Sequence, residues 1–286
     1  MKLYKYILLA ILIGTSLNAK LLRIEAVELS SNLEIYTIID TRTEDIYKEG
    51  HIKGALNFPI NLTYEDSKVS GKITNPIKMQ NIIRSLGLKT DSKVIIYDDG
   101  TFFDATRLFW SLEVYGFKNV KILNTGYKNW MFNNYQVSED IPKVISSNYI
   151  SKIDNKRLAT KFSTQIATRN PNQTIIDART NDAYIGKESV AKRYGHIPKA
   201  IHISATHNIN YGEKAAKLKT IDNLKKLYKK IDKKQKVIIY CAIGRIASTN
   251  YFALRELGYN VSNYDASWKE WGNDFNLPIT NLSKEQ

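Results

Sequence analysis

The sequence predicts an α/β protein made of two similar domains, each a parallel sheet flanked by helices. Three observations predict this class: the length of 286 residues fits two ordinary domains, one set of motifs occurs twice, and short apolar runs alternate with helical patterns. Apolar residues make up 43% of the chain and charged residues 24%, the composition of a folded protein. We therefore expect a globular mature chain.

The N-terminus predicts a secretory signal peptide at 1–19. Two lysines precede the apolar stretch 7–17, which is shorter than the roughly 20 residues needed to span a bilayer. We therefore expect a periplasmic or secreted protein with no stable membrane insertion after cleavage. An uncleaved anchor is the alternative, because Leu17 is not the small residue expected two positions before Ala19.

The formal charge of +14 raises the question of a polyanionic partner. The lysines are scattered among Asn, Ile and Tyr and form only short runs, such as those at 225–226 and 229–230. This pattern is typical of solvated helix faces, and a surface that attracts anions is the alternative. We expect no nucleic-acid partner, and either interpretation suits a small anionic substrate.

Four landmarks occur in the same order in both halves of the chain, which indicates an internal repeat. They are an Ile-Ile-Asp-x-Arg motif (38–42 and 175–179), a Gly-His-Ile motif (50–55 and 195–200), a Val-Ile-Ile-Tyr run with the residue after it (94–98 and 237–241) and a Trp-bearing segment (126–130 and 267–271). The repeat predicts a first domain at 20–140, a linker at 141–147 and a second domain at 148–286.

The elements within each half follow from hydrophobic patterning. Short runs of Ile, Val and Tyr bounded by charged or turn residues predict buried parallel strands. Helical patterns lie between them, for example 78–86 before Gly87 and 247–257 before Gly258, where glycine ends a helix. Strands that alternate with helices predict right-handed crossovers and a parallel sheet covered on both faces.

The single cysteine, Cys241, is the candidate nucleophile. An exported protein with one cysteine forms no internal disulfide, so the thiol is either buried and inert or kept for its chemistry. Cys241 directly follows the predicted strand 237–240 and begins a loop that leads into a helix at Ala247. In α/β proteins, ligands bind at the carboxyl ends of the parallel strands.

The loop 241–246 is predicted to favour an anion. Its backbone N–H groups and the positive end of the following helix stabilise a thiolate over a thiol, and Gly244 lets the chain curl without a side-chain clash. The loop therefore predicts a reactive Cys241, with a buried structural cysteine as the alternative.

These motifs together resemble the tandem-domain rhodaneses, which include thiosulfate and 3-mercaptopyruvate sulfurtransferases. The resemblance covers about 29–273 and rests on the doubled motifs and the Cys-x-x-Gly loop followed by Ala-Ser. The segment 264–271 is similar to the family's Asp-Gly-Ser-Trp signature, with Ala266 in place of glycine.

The resemblance implies a five-stranded parallel sheet with flanking helices in each domain and an active site at the domain interface. The family's catalytic cysteine matches Cys241 of the second domain. In the first domain the matching residue is Asp98, and a carboxylate cannot store sulfane sulfur. We therefore expect the first domain to be catalytically inactive.

The predicted reaction is a double displacement on Cys241. Its thiolate attacks the outer sulfur of a small anionic donor such as thiosulfate, and a thiol or cyanide acceptor then takes sulfur from the persulfide. This chemistry needs no metal and no organic cofactor. A sulfur-accepting protein is an alternative acceptor.

Several residues are predicted to bind the donor. They are Ala242, Ile243, Gly244, Arg245 and Ile246 of the loop, together with Arg179 of the second Asp-x-Arg motif. Arg245 either binds the sulfonate end of thiosulfate or points to solvent. Arg179 either helps to hold the donor or only forms a local ion pair with Asp177.

Two departures from the family leave the donor open. Well-studied members have an arginine where this chain has Ala183, and their loops differ from Cys-Ala-Ile-Gly. A 3-mercaptopyruvate sulfurtransferase and a periplasmic sulfur carrier without turnover are therefore alternatives. A phosphatase-type reaction is disfavoured, because Arg245 lies four positions after Cys241 rather than in a Cys-x5-Arg loop.

Overall fold

A computed structural model of the chain describes residues 21–66, 71–212 and 216–284. The predicted signal peptide therefore lies outside the described residues. Within them, no helix has both the length and the apolar character needed to cross a membrane.

The first half of the chain forms a five-stranded parallel sheet with strand order β1-β6-β5-β2-β4. A second, two-stranded antiparallel ribbon pairs β3 with β7. The strands are β1 (Arg23–Ile24), β2 (Thr37–Asp40), β3 (His51–Ile52), β4 (Leu56–Asn57), β5 (Val94–Tyr97), β6 (Val120–Leu123) and β7 (Val137–Ser138). The helices are α1 (Ala26–Ser30), α2 (Glu44–Lys48), α3 (Pro76–Ser85), α4 (Phe103–Val114) and α5 (Tyr127–Phe132).

The second half repeats this plan in a five-stranded parallel sheet of order β10-β9-β13-β14-β8. A ribbon pairs β11 with β12. The strands are β8 (Leu158–Ala159), β9 (Gln173–Asp177), β10 (Ile201–His202), β11 (Ile209–Tyr211), β12 (Ala216–Leu218), β13 (Lys236–Tyr240) and β14 (Asn260–Tyr264). The helices are α6 (Lys161–Ala167), α7 (Asn181–Ile185), α8 (Ile221–Leu227), α9 (Ala247–Glu256) and α10 (Ser267–Trp271). In the described part of the chain, short 3-10 helices lie at Leu33–Ile35, Ile60–Thr63, Ala205–Asn208 and Leu282–Lys284.

The two sheets confirm the predicted fold class. β5 and β13 are the central strands, and their Val-Ile-Ile-Tyr runs are buried because helices cover both faces of a parallel sheet. The register is also repeated, since Asp40 pairs with Tyr97 in the first sheet as Asp177 pairs with Tyr240 in the second.

Helices α4 and α9 pack against each other and join the two domains. Both are buried over most of their length, because each is covered by the other helix and by the sheet of its own domain. The contacts of α4 with α9 and the loop before it follow the same order along both segments: Asp104 with Arg245, Thr106 with Thr249, Phe109 with Phe252 and Glu113 with Arg255. The helices are therefore parallel, and the loops that precede them lie at the same end of the interface.

Candidate active site

Cys241 lies at the carboxyl end of the central strand β13, where a tight loop connects it to α9. The backbone N–H of Gly244 donates to Cys241 Sγ at 3.1 Å, and the residue is only 1% exposed. The backbone of Cys241 is held from the other side, because its N–H donates to Ser267 Oγ at 3.1 Å and its carbonyl accepts from Trp268 N at 3.0 Å. The loop therefore presents a backbone donor directly to the sulfur atom.

Gly244 gives the loop its curl. Its φ is +74°, and a Cβ there would lie 2.4 Å from the carbonyl oxygen of Asp265, so only glycine fits. The Gly244 carbonyl accepts from Asn263 Nδ2 at 3.0 Å and from Ser248 Oγ at 3.2 Å. Because the C=O and N–H of a trans peptide point in opposite directions, the N–H of Arg245 faces away from these donors.

A third donor to the Gly244 carbonyl is Arg107, which belongs to α4 of the first domain. Its guanidinium donates to Gly244 O at 3.2 Å and to Gly71 O at 2.9 Å, and it lies 4.5 Å from the ring centroids of Tyr64 and Trp110. Burial lowers the pKa of Arg107, while the negative charges that Tyr64, Asp265 and Cys241 can carry act in the opposite direction. The sequence motifs do not single out this residue. Its signal is an arginine directly before the apolar run Leu-Phe-Trp at 108–110.

A segment of the first domain also lies directly on the Cys241 loop. A Cβ on Gly71 would be 1.6 Å from the carbonyl oxygen of Ile243, so the two backbones touch. Two residues further on, the N–H of Ile73 donates to Asp265 Oδ2 at 2.7 Å. These contacts help to explain why Cys241 is buried although it lies at the carboxyl end of its strand.

Arg245 is held in an ion pair, which is neither of the two alternatives considered from the sequence. Its guanidinium forms a bidentate ion pair with Asp104 of α4, with Nε to Oδ1 at 2.5 Å and Nη2 to Oδ2 at 2.8 Å. The side chain of Arg245 is 41% exposed and that of Asp104 is 19% exposed. The hydrogen bond to Asp104 is the main cause that raises the pKa of Arg245. Its predicted contact with a donor stays a prediction, and it competes with this ion pair.

Arg179 is buried and forms the local ion pair with Asp177, with Nη2 to Oδ2 at 2.6 Å. The same guanidinium donates to Gly195 O at 2.7 Å and lies 4.6 Å from the ring centroid of Trp268. Its Nη1 atom has no hydrogen-bond partner among the residues that the structure describes. Most of the Arg179 guanidinium is therefore already hydrogen-bonded within the protein. Only Nη1 is available for the predicted contact with a donor.

The first domain carries an equivalent loop with Asp98 in place of the cysteine. The N–H of Gly100 donates to Asp98 Oδ1 at 2.8 Å, and the N–H of Ala105 donates to Oδ2 at 3.3 Å. The carbonyl of Asp98 accepts from Tyr127 N at 2.9 Å, as Cys241 accepts from Trp268. Burial raises the pKa of Asp98 to about 6.

A cavity of about 450 Å³ opens beside this first-domain loop. Three carboxylates line it, those of Asp98, Asp99 and Asp104, together with the cations Arg42 and Lys128. Among the described residues, no group of three or more His, Cys, Asp or Glu side chains is arranged to hold a metal ion.

Comparison with known proteins agrees with this geometry. The family model described as the rhodanese-like domain matches residues 25–133 and 159–274. A putative thiosulfate sulfurtransferase of Haloferax volcanii is 29% identical over 264 residues, covering 88% of this chain and 91% of the relative. A putative thiosulfate sulfurtransferase SseA of Mycobacterium leprae is 31% identical over 245 residues, covering 82% of this chain and 81% of the relative.

A solved structure is similar over the whole fold. The crystal structure of SseA from Escherichia coli, described with the fold and mechanism of 3-mercaptopyruvate sulfotransferases, superposes with a TM-score of 0.76 at 26% identity. It covers 87% of this chain and 99% of the solved chain. The chain therefore belongs to the rhodanese family, as a tandem-domain sulfurtransferase of the rhodanese type.

Proposed function

We propose that this chain transfers sulfane sulfur from thiosulfate or 3-mercaptopyruvate to a thiol or cyanide acceptor, through a persulfide on Cys241. The observation that carries the proposal is the hydrogen bond from Gly244 N to Cys241 Sγ, because a backbone donor aimed at the attacking sulfur orients it and stabilises negative charge there during transfer. Both donors are proposed because the relatives carry both names.

The first step forms a bond between Cys241 Sγ and the outer sulfur of the donor. With thiosulfate, the S–S bond breaks and sulfite leaves with the electron pair. With 3-mercaptopyruvate, the C–S bond breaks and the enolate of pyruvate leaves and takes up a proton. In the second step the acceptor attacks the terminal sulfur of the persulfide and restores the thiolate. We also propose that the reaction takes place in the periplasm or outside the cell, on the basis of the predicted signal peptide at 1–19.

Turnover and mass spectrometry of the purified chain 20–286 test this proposal together. We expect either donor to add the mass of one sulfur atom, which a reducing thiol removes, and we expect steady turnover with cyanide or a thiol as acceptor. Cys241→Ser should fold normally and lose both the added mass and turnover, because a hydroxyl is a far weaker nucleophile and forms no persulfide.

Asp98→Ala is the matched control at the equivalent position of the first domain. We expect it to keep both the added mass and turnover, since a carboxylate stores no sulfur. Sulfur transfer by the Cys241→Ser variant would contradict the mechanism, and a large loss in folded Asp98→Ala would give the first domain a chemical role.

A further inference from the structure

The ion pair between Arg245 and Asp104 connects the catalytic loop to the chemically silent domain. Arg245 is in the loop that begins with Cys241, whereas Asp104 is in the first turn of α4. The contact is bidentate, with both carboxylate oxygens accepting from the guanidinium, which is the strongest arrangement for this pair of groups. The positive charge of Arg245 is therefore balanced by a carboxylate rather than available to a ligand.

The surroundings of the pair are also unfavourable to a second anion. Asp104 shares its cavity with Asp98 and Asp99, so an anion that approaches Arg245 from this side meets three carboxylates. Of the cations in the cavity lining, Arg42 is already paired with Asp40 at 2.6 Å. A dianion would have to displace Asp104 against this repulsion.

The other arginines near the loop are also engaged. Arg179 is paired with Asp177, and Arg107 donates to the backbone carbonyls of Gly71 and Gly244. What the described loop offers to an anion is mainly its backbone N–H groups and the N-terminus of α9. With Arg245 held by Asp104, no unpaired cationic side chain of the described loop is left to balance the second charge of a dianion.

We propose that Asp104 is a specificity-determining residue for the active site of the other domain. By holding Arg245 in an ion pair, it lowers the affinity for doubly charged thiosulfate and favours singly charged 3-mercaptopyruvate, whose carboxylate is separated from the reacting sulfur. The inference rests on the proposed function, because it compares two donors of the same cysteine.

Asp104→Asn tests this inference as a gain of function. The amide keeps the size of the side chain but no longer neutralises Arg245. We expect the KM for thiosulfate to fall about tenfold, the change given by one charge-assisted contact of ordinary strength, while the KM for 3-mercaptopyruvate changes much less. We expect kcat with either donor to stay nearly constant.

Two further variants distinguish the effect of the Arg245–Asp104 ion pair from the effect of any carboxylate in the cavity. Asp99→Asn removes a carboxylate from the same cavity without touching Arg245, so it should leave the ratio of the two KM values nearly unchanged. Adding Arg245→Ala to Asp104→Asn should abolish the gain for thiosulfate. Equal effects of Asp104→Asn on both donors, or no effect, would overturn the inference.

A binding measurement keeps this test independent of turnover. In the Cys241→Ser background, titration calorimetry should show tighter thiosulfate binding when Asp104→Asn is added. If the wild type forms no persulfide but this gain in affinity is seen, the proposed function fails, whereas the effect of Asp104 on thiosulfate binding stands. If persulfide forms but thiosulfate binding is unchanged, the proposed function stands and the inference fails.

Discussion

Cys241 and Asp98 directly follow the central strands of their sheets, and the backbone makes equivalent hydrogen bonds with both side chains. A glycine N–H donates to each side chain, Gly244 to the sulfur and Gly100 to the carboxylate. Each loop thus surrounds an atom able to carry negative charge, but only sulfur can accept a second sulfur. The first-domain loop therefore has the same backbone donor as the Cys241 loop, with a carboxylate in place of the thiol.

The buried carboxyl of Asp98 predicts a pH-dependent stability. Burial raises its pKa from the ordinary 3.8 to about 6, so the folded protein holds this proton more tightly than the unfolded chain does. The free energy of unfolding therefore falls as the pH rises from about 4 to about 6. The difference between the two pKa values corresponds to a loss of about 3 kcal/mol. Asp98→Asn does not titrate, so its free energy of unfolding should rise relative to wild type between about pH 4 and 6 and remain higher above.

Denaturant unfolding of both proteins at a series of pH values measures this difference. Asp99→Asn serves as the control, because Asp99 is the exposed neighbour of Asp98. A difference between Asp98→Asn and wild type that is independent of pH would contradict the prediction.

At the scale of elements, the catalytic loop is assembled from both domains. Its own segment was predictable, since an apolar strand, a cysteine, a glycine and a helix follow one another in the sequence. The contacts from the first domain were not predictable. They come from Arg107, Gly71 and Asp104, which lie more than 130 positions from the loop and reach it only because the two domains pack together. Local patterns predict the loop, whereas its outer contacts depend on how the domains pack.

Arg107 is predicted to position the loop rather than to bind the donor. Arg107→Lys keeps a charge but loses the planar fork that reaches both Gly71 O and Gly244 O. We expect kcat/KM to fall about tenfold for both donors alike, because the lost contacts orient the loop and not one substrate. Arg107→Met should lose more, so lysine gives a partial rescue.

Alkylation of Cys241 by iodoacetamide supplies a readout that does not depend on sulfur transfer. The rate should fall in the order wild type, Arg107→Lys, Arg107→Met, with circular dichroism confirming that each variant is folded. A selective loss with thiosulfate alone would instead make Arg107 a donor-binding residue.

At the scale of the whole molecule, the two domains share one interior. A single cluster of buried apolar residues extends from β5 and α4 to β13 and α9. A buried ion pair adds to it, because Arg23 in β1 contacts Glu256 at the end of α9, and the two side chains are 6% and 0% exposed. The first domain therefore contributes to the stability of the second.

The Arg23–Glu256 pair gives a test of this cooperation. Glu256→Gln leaves the guanidinium of Arg23 buried without a balancing charge, which costs about 3 kcal/mol or more when one partner of a buried pair is removed. Because the pair joins both domains through a common interior, we expect strands β5 and β13 to lose protection against hydrogen exchange together and unfolding to remain one transition. Glu44→Gln, which breaks the exposed pair with Lys48, should leave stability unchanged. Two separated transitions, with only one of them shifted by Glu256→Gln, would show that the domains unfold independently.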